Sequence, residues 1–130
     1  MGVLLDTSVW IDYFKGGIQT LSVDYLIDNN QIVTNELILA ELLPYIEVNK
    51  ERKLATLLKS IKTFKIKIDW DEIIRFQVVC LQNGLNKIGI PDLIIVQNAL
   101  QNNLTIYSLD KHFPLICESI PFNIYETSSL

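Results

Sequence analysis

Short extended-type runs alternate with longer segments of helical periodicity along this whole chain, and that alternation restricts its fold more than any other feature. Gly2–Leu5 is an apolar run that stops at Asp6 and reads as a buried strand. Asp6, Thr7 and Ser8 are helix-starting types, and Val9–Phe14 continues as a short helix stopped at Gly16–Gly17. A second helix is predicted over Leu21–Ile27 and a second strand over Gln31–Val33. Thr34 is expected to cap the next helix, with Glu36 in its first turn and an end or kink at Pro44. Lys50–Ile61 is amphipathic, with Leu54, Leu57, Leu58 and Ile61 at helical spacing. Phe64–Ile68 alternates apolar and basic residues, the pattern of an edge strand whose lysines discourage aggregation. A helix over Asp71–Leu85 follows, and Pro91 and Asp92 open another over Asp92–Asn102. Leu104–Tyr107 is the fourth predicted strand, Lys111–Phe113 a short capped segment, and Phe122–Tyr125 a fifth strand. Strands separated by helices pair through crossovers, so the expected class is α/β with a parallel sheet.

Composition supports this class. The chain has 130 residues, 49% of them hydrophobic and 20% charged, which suits one domain over 1–130 with a sheet covered on both faces. No apolar run approaches the roughly 20 residues of a membrane helix, and Asp6 interrupts the first run too early for a signal peptide. Cys80 and Cys117 form no metal motif, and free thiols in a reducing cytoplasm are the expectation. The net charge of −4 is unevenly spread: Lys50, Arg52, Lys53, Lys59, Lys62, Lys65 and Lys67 are seven of eleven basic residues, set against the single acid Glu51. That stretch is either a solvated face or a contact for a polyanion.

Ligands of open parallel sheets bind beyond the carboxyl ends of the strands. Asp6 directly follows the first predicted strand, and Asp110 stands three residues after the fourth, with Ser108 between. Asp92 lies in the first turn of the helix leading into that fourth strand. Glu41 and Glu36 compete for a further place, since five residues turn a helix by roughly 140° and cannot aim both at one ion. Glu41 stands among Leu39, Ala40, Leu42 and Leu43, which places it on or beside the buried face, where a carboxylate needs a partner or a cation. Each acid also has a structural reading. Asp6 can be an N-cap, Asp92 a first-turn acid favoured by the helix dipole, and Asp110 a turn or cap residue. Together Asp6, Glu41, Asp92 and Asp110 make an oxygen-rich set suited to Mg²⁺ or Mn²⁺, and they account for the whole net charge of −4. Such an ion polarises a phosphodiester and activates water, as hydrolysis requires.

The same residues resemble the PIN-domain ribonucleases, most closely the small VapC-type toxins of bacterial toxin–antitoxin pairs. The resemblance runs through LLDTSVWIDYFKG, VTNELILAELL, IPDLIIVQNAL and IYSLDKHF, in that order along nearly the whole chain. It implies a three-layer α/β/α fold with about five parallel strands in the order 3-2-1-4-5. It implies Mg²⁺- or Mn²⁺-dependent endonucleolytic cleavage of RNA, with Asp6, Glu41, Asp92 and Asp110 as metal-binding and catalytic acids. Ser108 falls on the family's hydroxyl position, and Thr7 supports the site. Homodimers and silencing by a VapB-type antitoxin are implied as well. One departure is visible at Asp92-Leu93-Ile94-Ile95, where the family more often has a small residue after Asp and an Ile-Ala pair.

His112, the chain's single histidine, is expected at the surface or in a cap, and Asp12 facing solvent. Lys15 and Lys111 are the closer choices for phosphate contact, and Trp10, Tyr13 and Phe14 for core or partner packing. A haloacid-dehalogenase-like phosphatase needs a second acid two residues after the first, where this chain has Ser8. A receiver domain needs an acidic pair after the first strand and a Lys after the last. A non-catalytic RNA- or protein-binding PIN module is the remaining alternative, and four retained acids argue against it.

Overall fold

The apolar run after Gly2 becomes the central strand of a five-stranded sheet in the computed structural model, which describes residues 2–126. The strands are β1 (Val3–Leu5), β2 (Ile32–Asn35), β3 (Lys62–Phe64), β4 (Thr105–Tyr107) and β5 (Asn123–Ile124). Every pairing is parallel and the order is β3-β2-β1-β4-β5, as expected. The helices are α1 (Thr7–Phe14), α2 (Thr20–Asp28), α3 (Glu36–Val48), α4 (Arg52–Ser60), α5 (Trp70–Gln82), α6 (Ile90–Gln101) and α7 (His112–Ser119). α1 packs on α2 and α3, and α3 on α4; α5 packs on α6 and α7, giving the three-layer α/β/α arrangement. All residues of β1, β2 and β4 are buried, whereas Lys62 and Thr63 of edge strand β3 are exposed. Burial on both faces explains why the central runs are apolar without alternation.

Three local expectations are corrected, and of the end or kink expected at Pro44 the end is excluded. The cap of α3 is Asn35, whose side chain accepts from the Ile38 N–H at 2.9 Å; Thr34 is a fully buried strand residue. Two buried polar residues thus precede α3, and the second takes the cap. The same helix runs through Pro44 to Val48. Pro44 and Ala40 are both exposed, so the carbonyl that loses its donor can be hydrated while Leu42 and Ile46 stay buried.

β3 lies at Lys62–Phe64 rather than Phe64–Ile68. The 65–69 segment keeps its alternation, with Lys65 and Lys67 exposed and Ile66 and Ile68 half-buried. Its backbone groups, however, bond to side chains: Ile66 N–H donates to Glu36 at 2.7 Å, and the Lys65 and Lys67 carbonyls accept from Asn98 and Gln101. The short segment after Asp110 extends into the two-turn helix α7, whose Phe113 and Ile116 are buried.

Candidate metal centre

The parallel pairing of β1 with β4 brings the site together from opposite ends of the sequence. Leu5 is in register with Tyr107, and the Asp6 N–H continues the ladder by donating to the Tyr107 carbonyl at 3.0 Å. Ser108 therefore arrives opposite Asp6, and its hydroxyl donates to one carboxylate oxygen. The Ser8 hydroxyl donates to the other oxygen at 2.5 Å, as does the Val9 N–H at 3.3 Å. Asp6 is thus both the N-cap of α1 and a buried acid of the site. Burial pushes its carboxyl above the ordinary value, while the bonds from Ser108, Ser8 and Val9 oppose that shift.

The two hydroxyls also organise the following loop. Ser8 Oγ accepts from the Leu109 N–H and Ser108 Oγ from the Asp110 N–H, each at 2.9 Å. Asp110, half-buried, accepts from the His112 N–H at 2.9 Å and so caps the start of α7. Asp92 sits half-buried in the first turn of α6, after Pro91. Its carboxyl is raised by burial first and by Asp110 next; the His112 charge opposes this, and Asp6 and Glu41 add to it. Like charges around Asp92 are what a bound cation would relieve.

Asp92, Asp110 and His112 each offer one donor atom, all within 4.8 Å of one another. Asp6 and Glu41 stand outside this tight group and act on Asp92 through their charge. Glu41 is exposed, against the expectation of a half-buried side chain, because among its neighbours only Leu42 is fully buried. It is reached by the Thr7 hydroxyl at 3.4 Å, which ties it to the residue after Asp6. Glu36, its rival, is committed to the Ile66 backbone. Asp12 does not face open solvent: half-buried, it accepts from the Gln19 N–H at 2.9 Å and closes the turn after α1. A Cβ at Gly17 would lie 2.2 Å from the Asp12 carboxylate, so any larger residue there would displace that side chain.

Two neighbours of the acids are not evident in the sequence. Ser8 is found only through its bonds, and His112 lies between two acids rather than on an uninvolved surface. The donor set is therefore acids plus one imidazole. Its hard oxygens fit a divalent ion of the Mg²⁺ and Mn²⁺ kind. A cavity of about 490 Å³ between α3 and α4, lined by Leu43, Ile46, Lys50, Arg52 and Lys59 among others, contains none of these acids.

Comparisons with known proteins agree with this architecture. The structure is similar to VapBC2 from Rickettsia felis, solved bound to a DNA fragment from its promoter, with TM-score 0.76 and 23% identity, over 99% of this chain and 100% of that one. It is similar to FitAcB from Neisseria gonorrhoeae, with TM-score 0.73 and 17% identity over 95% and 96% of the two chains. It is also similar to DNA-bound VapBC from Salmonella typhimurium, with TM-score 0.72 and 18% identity over 96% and 97%. At these identities the likeness concerns the fold. No curated protein matches the sequence. The family model described as PIN domain matches residues 3–118, and the chain belongs to the PIN domain family.

Proposed function

We propose that this chain is a divalent-metal-dependent endoribonuclease and the toxin of a toxin–antitoxin pair. The observation that carries the reading is the convergence of Asp6, Asp92 and Asp110 at one sheet end of a PIN-domain chain, with burial and then the neighbouring acids raising the Asp92 carboxyl. Asp6, Glu41, Asp92 and Asp110 would hold Mg²⁺ or Mn²⁺, with Ser108 and Thr7 in support. The ion supplies polarisation of the scissile phosphate and activation of water.

The chain's own groups fix the geometry. Ser8 and Ser108 hold both oxygens of Asp6, so its carboxylate cannot rotate freely. Asp110 holds the start of α7 through the His112 N–H, which locks the loop after β4. Without a cation the cluster repels a polyanion, so RNA approach depends on metal loading. A phosphatase of the haloacid-dehalogenase type is disfavoured, because Ser8 occupies the position of its second acid and serves as a donor to Asp6.

The whole chain is read as one domain, supported by a single sheet and a family match spanning most of its length. The partner is read as a VapB-type protein, from the likeness to VapBC complexes, and the exposed Ile18, Leu21 and Tyr25 offer it apolar surface. A homodimer is supported by Trp70, Ile74, Val78 and Leu81, exposed along one face of α5. The place of action is read as the cytoplasm; among the described residues no helix is long and apolar enough to cross a membrane. The test is cleavage of a labelled RNA with and without Mn²⁺ or Mg²⁺. Metal-dependent internal cuts are expected, with no turnover of a small phosphate ester.

A further inference from the structure

His112 Nδ1 stands 3.5 Å from Asp110 Oδ1 and 3.7 Å from Asp92 Oδ2. Both separations exceed the upper limit of about 3.2 Å for an N–H···O bond. They are close to the spacing of donors around one ion: with metal–ligand bonds of about 2.1 Å, adjacent donors lie about 3.0 Å apart in an octahedron and about 3.4 Å in a tetrahedron. The backbone that carries the imidazole is fixed from below. The His112 N–H is held by Asp110 Oδ1, the Phe113 N–H donates to the Asp110 carbonyl at 3.3 Å, and the Phe113 ring is buried at the start of α7. One carboxylate thus orients the backbone that presents the ring.

Resting on the metal-site reading above, we propose that His112 Nδ1 is a direct ligand of the divalent ion held by Asp92 and Asp110, and that it sets a preference for manganese over magnesium. An imidazole nitrogen adds affinity for first-row transition ions and little for Mg²⁺, which prefers oxygen donors and retains its waters. Ligation through Nδ1 requires the tautomer that carries its proton on Nε2.

His112 is the only histidine in the sequence, so an imidazole signal on a bound ion has one possible source. The experiment uses tag-free full-length protein loaded with Mn²⁺, read by pulsed electron paramagnetic resonance with natural-abundance and ¹⁵N-labelled histidine. Calorimetric titration with Mn²⁺ and Mg²⁺ accompanies it for wild type, His112→Ala, His112→Gln and Asp92→Asn. The expected result is a nitrogen coupling that changes on ¹⁵N labelling and vanishes in both His112 variants. Mn²⁺ affinity should fall about tenfold in those variants while Mg²⁺ affinity changes by less than about threefold. Mn²⁺ bound without a nitrogen coupling, and lost in Asp92→Asn, overturns the ligand role and leaves the acidic site standing. Tighter Mn²⁺ binding by His112→Ala also overturns it, since the imidazole would then be a competing cation. Absence of Mn²⁺ binding by the wild type overturns the metal-site reading itself.

Discussion

Helix α6 carries buried or half-buried polar side chains along its length, and its two halves treat them in opposite ways. In the second half, Gln97 and Asn98 are buried and their amides are paired. Asn35 Nδ2 donates to Asn98 Oδ1 at 3.0 Å, and Asn98 Nδ2 to the Lys65 carbonyl at 3.2 Å. Gln97 accepts from the Asp69 N–H and donates to the Asp69 carbonyl, both at 3.1 Å, and also donates to Glu72 at 2.8 Å. Gln101 adds a bond to the Lys67 carbonyl at 2.9 Å. This seam holds the extended 65–69 segment without a strand partner. In the first turn, Asp92 faces Asp110, Asp6 and Glu41, and burial and repulsion both work against its charge. Neutral groups with satisfied bonds stabilise the fold, whereas crowded acids of one sign weaken it in exchange for a cation site.

The largest effect that separates the two regions concerns catalysis. Asp92→Asn should lower metal-dependent RNA cleavage by about 100-fold or more while leaving the fold intact, checked by single-turnover assays and circular dichroism. Asn98→Ala should do the reverse. It leaves Asn35 Nδ2 and the Lys65 carbonyl without their partner, at about 2–4 kcal/mol of stability by denaturant unfolding, with turnover of the folded fraction retained.

A smaller effect is linked to pH. Asp92 has a folded-state value raised above its unfolded one, so the folded protein binds the proton more tightly. Metal-free stability should therefore fall as pH rises from near 3.8 through the raised value, with the penalty fully present above it. Thermal melts of the metal-free protein should show Asp92→Asn flattening that loss, and Mn²⁺ raising the wild-type midpoint at neutral pH. The smallest effect lies beside the seam. Thr34 Oγ1 is buried with no bonding partner among the described residues, so Thr34→Val should raise stability by about 0.5–1 kcal/mol in the same unfolding assay.

These regions were not equally legible in the sequence. The strand–helix alternation and the strand-end positions of Asp6 and Asp110 were readable, because they depend on local pattern and chain order. The exposure of Glu41 is not legible in the sequence because α3 is aliphatic on several sides: Leu42 is buried, yet Ala40 and Leu43 are exposed, so apolar neighbours do not mark the core face. Ser108 reaches Asp6 and Ser8 only through the β1–β4 register, across about a hundred residues of sequence. The seam was hidden for a similar reason. Phe64–Ile68 alternates like a strand, but nothing local says that its bonds go to Asn98 and Gln101. His112 looked like a capping residue, and its backbone N–H does take part in a cap; only the fold places its ring beside Asp92.

Asp6 is the acid on which the central claim rests most directly, since it ends the central strand and both of its oxygens are held by hydroxyls. The decisive measurement is cleavage of a long labelled RNA in Mn²⁺ by wild type and Asp6→Asn, with melting curves confirming that both are folded. The account requires internal cleavage by the wild type, abolished by chelation and reduced about 100-fold or more in Asp6→Asn. RNA left intact by the wild type, or cut equally by both proteins, would contradict it.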